Sequence, residues 1–93
     1  MNSRTTASFR RALQALPSDI RSQATQAYKL FRADPHHPSL HFKRVHSSKP
    51  IYSARVSLQV SLHYRALGVV DGSAIVWFWV GSHDDYERLI RNA

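Results

Sequence analysis

The chain has 93 residues with thirteen Lys/Arg against six Asp/Glu, a formal charge of +7, and no cysteine. That length gives a single domain over residues 1–93, with a core large enough to fold but little to spare. A disulfide framework and a thiolate zinc site are excluded, no apolar run approaches a membrane span, and MNSRTTASFRR lacks the apolar centre of a signal peptide, so a cytoplasmic protein with no membrane partner is expected.

The charge is uneven. Residues 1–49 hold nine Lys/Arg and two Asp/Glu, whereas residues 50–93 hold four of each. A basic domain suggests a polyanionic partner, either nucleic acid or an acidic protein segment. The plain alternative is a solvated basic surface.

Residues 1–6 show no strand alternation, and Thr5 or Thr6 is suited to cap a first helix. Phe9, Leu13 and Leu16 then recur at helical spacing. Pro17-Ser18-Asp19 is a stop and restart. A second helix is predicted from Ser18 to Ala33, with Ile20, Ala24, Ala27, Tyr28 and Phe31 on one face. The tight joint at Pro17 makes the two helices an antiparallel hairpin, and Asp34-Pro35 ends it.

Strands follow. One is expected over 40–46, carrying His41, Lys43 and Arg44. Another covers 51–58, with Tyr52, Ala54 and Val56 opposite Ser53, Arg55 and Ser57. A third covers 60–70, with Leu62, Tyr64 and Ala66 opposite His63 and Arg65. Asp71-Gly72 signals a hairpin into a last strand over 74–81. In that strand strict alternation points Ile75, Trp77 and Trp79 one way and Val76, Phe78 and Val80 the other. Both faces are apolar, as in a strand covered on both sides. Gly81-Ser82 breaks the pattern, and HDDYERLI continues as a short C-terminal helix. The fold class is therefore α+β: a helical hairpin on one face of a mostly antiparallel four-stranded sheet, with the other face open as a groove.

The Leu-Pro joint, AYKLFRADPHHPSLHFKRV, the strands IYSARV and LHYRALG, and WFWVGSHDDYERLI together resemble the RelE/ParE superfamily, the toxins of bacterial type II toxin–antitoxin modules. The likeness runs from about Arg4 to Ile90. It departs from the family in three places, one of them the acidic Asp84 and Asp85 beside His83, where several RelE-type nucleases have plainly basic sites. The usual N-terminal strand has little support in MNSRTT, and SLQVS lengthens the turn between Arg55 and Arg65. The resemblance implies one of two activities. RelE-like members are metal-independent ribonucleases that cut mRNA, many of them on the ribosome. ParE-like members have no nuclease activity and poison DNA gyrase. A degenerate member would only bind its partner. In each case an antitoxin segment, here expected to be acidic or amphipathic, wraps the toxin.

RNA cleavage without a metal needs a proton acceptor for the ribose 2′-hydroxyl, cations at the phosphate and a proton donor for the leaving oxygen. His83 is the candidate base or acid, since imidazole titrates near neutrality and its position matches a C-terminal histidine of some RelE-like nucleases. A strand-end histidine bonded to Asp84 or Asp85 is the competing reading. Arg55 and Arg65 are the candidate phosphate holders, against a plain role as sheet-surface cations. Lys43, Arg44 and His63 extend the RNA-binding track, and Tyr86 can stack on a base or pack over the sheet. His36, His37 and His41 look like a metal cluster, but Pro38 keeps His37 and His41 off one helical face and no carboxylate is near. No metal or cofactor is expected.

Overall fold

The computed structural model describes residues 1–57 and 64–91. In chain order they form β1 (Asn2–Thr5), α1 (Ala7–Gln14), α2 (Ser18–Ala33), a 3-10 turn at Pro38–Leu40, β2 (Lys43–Arg44), β3 (Ile51–Arg55), β4 (Tyr64–Asp71), β5 (Ala74–Ser82) and α3 (His83–Arg91). The sheet order is β1-β5-β4-β3-β2, with β1 parallel to β5 and the other pairs antiparallel.

The sheet therefore has five strands, not the four expected, and the fifth is the N-terminal one. Asn2–Thr5 carries no apolar alternation because it is an edge strand held by backbone pairing, from Asn2↔Ala74 to Thr5↔Trp77. Its anchored side chains are polar: Ser3 Oγ accepts from Trp77 Nε1 at 3.0 Å and Thr5 Oγ1 from Arg10 Nη1 at 3.0 Å. Thr6 then serves two elements. Its N–H donates to the Trp77 carbonyl at 3.0 Å, while its hydroxyl accepts from Phe9 N at 3.1 Å and caps α1.

The helical hairpin forms as expected, with α2 on the predicted bounds. Pro17 leads into α2, Asp19 lies in its first turn, and Arg21 Nη1 reaches back to the Gln14 carbonyl at 3.0 Å, closing the end of α1. The strand expected over 40–46 shrinks to Lys43–Arg44. Pro38 starts a 3-10 turn instead, and His41 takes a left-handed conformation at φ 46° that no strand accommodates. Of the predicted 51–58 and 60–70 strands, Ile51–Arg55 and Tyr64–Asp71 are present, while residues 58–63 lie outside the described part. The hairpin at Asp71 is confirmed. Its two loop residues are Gly72 and Ser73, and Gly72 takes φ 60°, which favours glycine.

The strict alternation predicted for the last strand is overturned. Leu67 pairs with Trp79, yet Gly68 pairs with Trp77, so Phe78 is an extra residue in a bulge. A one-residue insertion flips everything beyond it to the other face. Trp77 therefore joins Ile75 on the helix side, and Trp79 takes the opposite side. The helix-side core comprises Ala27, Phe31, Leu40, Ala54, Val56, Ala66, Ile75, Trp77 and Val80. Phe31 sets its ring edge-on to Trp77 at 5.3 Å and to Phe42 at 5.1 Å, and Phe42 stacks on Tyr52 at 5.0 Å. Between hairpin and sheet an apolar slot of about 260 Å³ remains, bordered by Phe9, Leu13, Tyr28, Phe31, Val56 and Trp77.

Gly68 is needed where it stands. A Cβ there would lie 2.7 Å from Ile75 Cγ1 and 2.9 Å from Trp77 Cε3. Gly68→Ala is expected to lower stability by about 1–3 kcal/mol, the usual cost of overpacking a core, without changing the fold. Urea unfolding followed by tryptophan fluorescence measures it; an unchanged midpoint would mean the bulge does not pack as described.

Candidate functional site

The face opposite the helical hairpin is built by register. Arg55 pairs with Arg65, Arg65 with Gly81, and Ser53 with Leu67 and Lys43. Cross-strand partners share a face, and so do residues two apart along a strand. Lys43, Ser53, Arg55, Arg65, Leu67, Trp79 and Gly81 thus form one surface. The long connection after Arg55 does not part the two arginines; they are direct cross-strand neighbours.

The last helix closes one end of this surface. Ser82 Oγ accepts from Asp85 N at 3.2 Å, capping α3. Asp84 and Asp85 occupy its first turn and Arg88 and Arg91 its last, the arrangement the helix dipole favours. The acidic pair beside His83 thus has a role in starting the helix. His83 finds a partner along the helix. Its Nε2 lies 3.2 Å from Glu87 Oε1, one turn on, and its side chain is 44% exposed. Helical spacing places i and i+4 side by side.

Tyr86 is the hub. It is buried, at 8% exposure, and two candidate residues meet it. The His83 ring stacks on it, with centroids 5.8 Å apart, and the Arg65 guanidinium carbon lies 5.3 Å from its ring centre. Tyr86 therefore packs, and by packing holds a histidine and an arginine near one another.

Arg65 is the most constrained cation in this group. Its Nε and Nη2 donate to the Ser53 hydroxyl at 2.9 and 2.6 Å, and Nη2 also reaches the His41 carbonyl at 3.4 Å. Burial pushes the Arg65 pKa below its ordinary value; Tyr86 opposes that, the positive charge of Arg55 adds to it, and Glu87 opposes it. Arginine nonetheless stays charged in proteins. The structure thus sets two cations side by side on a partly dry surface, a local excess of positive charge suited to an anion.

The remaining expected residues divide. Lys43 faces the site through its pairing with Ser53 and is exposed. Arg44 pairs with Tyr52 and so belongs to the helix-side face, where its Nε donates to the carbonyls of His46 at 3.0 Å and Lys49 at 3.3 Å. There it braces a turn. His63 lies outside the described residues. His37 Nδ1 accepts from Ser39 N at 3.2 Å, a turn contact, and among the described residues no group of three or more His, Cys, Asp or Glu is placed to hold a metal ion. Sequence reasoning missed Ser53, the His41 carbonyl and Glu87. Only Ser53 left a sign, as a polar residue on the same strand face as Arg55.

A sequence model described as the ParE-like toxin domain matches residues 18–88. Curated protein sequences give no match. Among solved structures, the fold is similar to the RelB-RelE antitoxin-toxin complex from Methanococcus jannaschii, with TM-score 0.71 and 17% identity over 92% of this chain and 96% of that one. It is also similar to the isolated E. coli RelE toxin, with TM-score 0.65 and 14% identity over 99% and 98%, and to the intact E. coli RelBE toxin-antitoxin complex, with TM-score 0.62 and 15% identity over 86% and 93%. At these identities the likeness is one of fold.

The hub role separates ring from hydroxyl. Tyr86→Ala is expected to cost about 3 kcal/mol of stability, as for other buried aromatic rings, whereas Tyr86→Phe keeps the stack and stays close to the parent. Thermal melts of both variants measure the difference, and equal losses would remove the ring from its central place.

Proposed function

The chain belongs to the ParE-like toxin domain family, and we propose that it is the toxin of a type II toxin–antitoxin pair and, on the geometry of its site rather than on its family, a metal-independent ribonuclease acting on mRNA. The observation that carries the reading is the placement of Arg65 and His83 on one aromatic ring with Arg55 alongside. In-line attack by a ribose 2′-hydroxyl on the adjacent phosphorus forms a 2′,3′-cyclic phosphate and breaks the bond to the 5′-oxygen. Arg55 and Arg65 hold the phosphate oxygens as charge builds. His83 takes the 2′-hydroxyl proton or supplies one to the leaving 5′-oxygen. The exposed half of its ring makes either exchange accessible. Lys43 extends the cationic surface along the strand bearing the next phosphates, and Tyr86 serves by holding its neighbours.

The partner follows from charge and shape. The basic first half and the apolar slot beneath the helical hairpin suit an acidic, amphipathic antitoxin segment that orders on binding. The family description itself supports a second reading, a ParE-like toxin that binds gyrase and performs no chemistry.

His83→Ala and Arg65→Ala are each expected to reduce RNA cleavage about a hundredfold, the scale of losing one acid–base or charge-stabilising group. Circular dichroism should find both variants folded. Cleavage is measured by primer extension on mRNA after induction and on purified RNA. A parent protein that leaves RNA intact while trapping gyrase on DNA establishes the second reading, and toxicity unchanged in both variants excludes the first.

A further inference from the structure

The Arg65 guanidinium can be followed donor by donor. It has five N–H groups. The Nε–H and one Nη2–H go to the Ser53 hydroxyl at 2.9 and 2.6 Å, and Nη2 also points to the His41 carbonyl at 3.4 Å. That occupies the whole Nε–Nη2 edge. The two N–H groups of Nη1 have no hydrogen-bond partner among the described residues, and Arg55, directly across the strand pair, has no side-chain hydrogen bond or ion pair among them either.

Ser53 is placed to act as a fixed point. It is wholly buried at 0% exposure, in a paired position of β3 with Leu67 on one side and Lys43 on the other. A hydroxyl on a central strand moves less than one on a loop. His41 supplies the second stop from a left-handed turn at φ 46°, just after the 3-10 segment. A guanidinium is planar, so fixing one edge fixes the direction of the remaining nitrogen.

We propose that Ser53 is a positioning residue: it clamps the Nε–Nη2 edge of Arg65 and thereby presents Nη1, beside Arg55, as the end that meets a phosphodiester oxygen. This rests on the ribonuclease reading for its functional consequence, though not for the clamp itself. The edge most often used for bidentate phosphate binding is closed to substrate. The phosphate is therefore held end-on by Arg65 and completed by Arg55, so that Arg55 contributes the fork and Arg65 the fixed direction. A misplacement of Arg65 Nη1 then costs rate, because the transition state is what requires the alignment.

The test compares Ser53→Ala, Arg65→Ala and the double variant in the full chain. Ser53→Ala is expected to lower kcat by about ten- to a hundredfold, the range seen when a supporting partner is removed, with KM little changed. In the Arg65→Ala background the same change should cost nothing further. By NMR the Arg65 Nε–H should be protected from water exchange in the parent and lose that protection in Ser53→Ala. Losses that multiply in the double variant, or an Nε–H that exchanges alike in both proteins, overturn the proposal. Should Ser53→Ala not fold, Ser53→Cys is nearly isosteric and a poor acceptor, and carries the same measurements. A parent that cuts no RNA removes the ribonuclease reading alone, and Nε–H exchange then decides the clamp.

Discussion

The contact between Gly68 and the ring of Trp77 fixes which side of the sheet does what. With Gly68 opposite it, Trp77 packs closely on β4 and reaches Phe31 and Phe42. The register that permits this pairing also expels Phe78 into a bulge, and past the bulge every residue of β5 changes face. Trp79 is thereby delivered to the open side, where Gly81 leaves room for its ring: a Cβ at 81 would lie 2.7 Å from Trp79 Cζ2. Gly81 is in turn the register partner of Arg65. One large side chain seated in the core thus sets the floor of the site on the far side of the sheet.

The cost of that floor is electrostatic. Two arginines directly across an antiparallel pair repel, and partial burial weakens the solvent screening that would ordinarily relieve them. The chain offsets this locally. Ser53 and the His41 carbonyl supply dipoles to Arg65, the Tyr86 ring offers its π-face, and Glu87 contributes the nearby negative charge while also lying against His83. α3 therefore does more than end the chain segment. Its Tyr86 and Glu87, one residue apart, tie the candidate base to the candidate cations, and its own start is secured by the Ser82 cap.

Much of this was legible in the sequence, and the misses share physical causes. Helix α2 was readable to the residue because one apolar face repeats over four turns between Pro17 and Asp34-Pro35. Strands β3 and β4 were readable as faces because their alternation is unbroken: Ser53 and Arg55 on one side, Tyr52 and Ala54 on the other, with Tyr64 and Ala66 opposite Arg65. β1 was not, because an edge strand secured by main-chain pairing needs no apolar pattern. Trp79 was misplaced because a bulge is a property of two strands together, and the second strand's sequence shows only a permissive Gly68. Lys43 and Arg44, adjacent and both basic, looked equivalent; pleating alone assigns one to the site and the other to a brace across the His46–Lys49 turn. Ser53 was visible as a polar strand residue, but its link to Arg65 is diagonal across the sheet and has no trace in linear spacing.

The charge distribution gives the last step. The excess of +7 lies in residues 1–49, yet both site arginines come from the half whose formal charge is zero. From the basic half, register brings Lys43, across from Ser53, and Arg4, across from Val76, to the site face. The exposed arginines and lysines of the helices, among them Arg10, Arg11, Lys29 and Arg32, lie elsewhere. Those charges are solvated, so they act over roughly a Debye length of 8–10 Å and weaken with salt. Arg65 is different in kind: partly buried, doubly bonded to a buried hydroxyl and seated over a ring, it is screened far less. Under the proposed function, net charge governs encounter with a polyanion, whereas discrimination at the site rests on a pair of arginines from the half whose charges cancel. A variant that neutralises helix lysines and arginines and one that displaces the Arg65 fork therefore act on separate quantities, the first on association and its salt dependence, the second on what happens after the partner has docked.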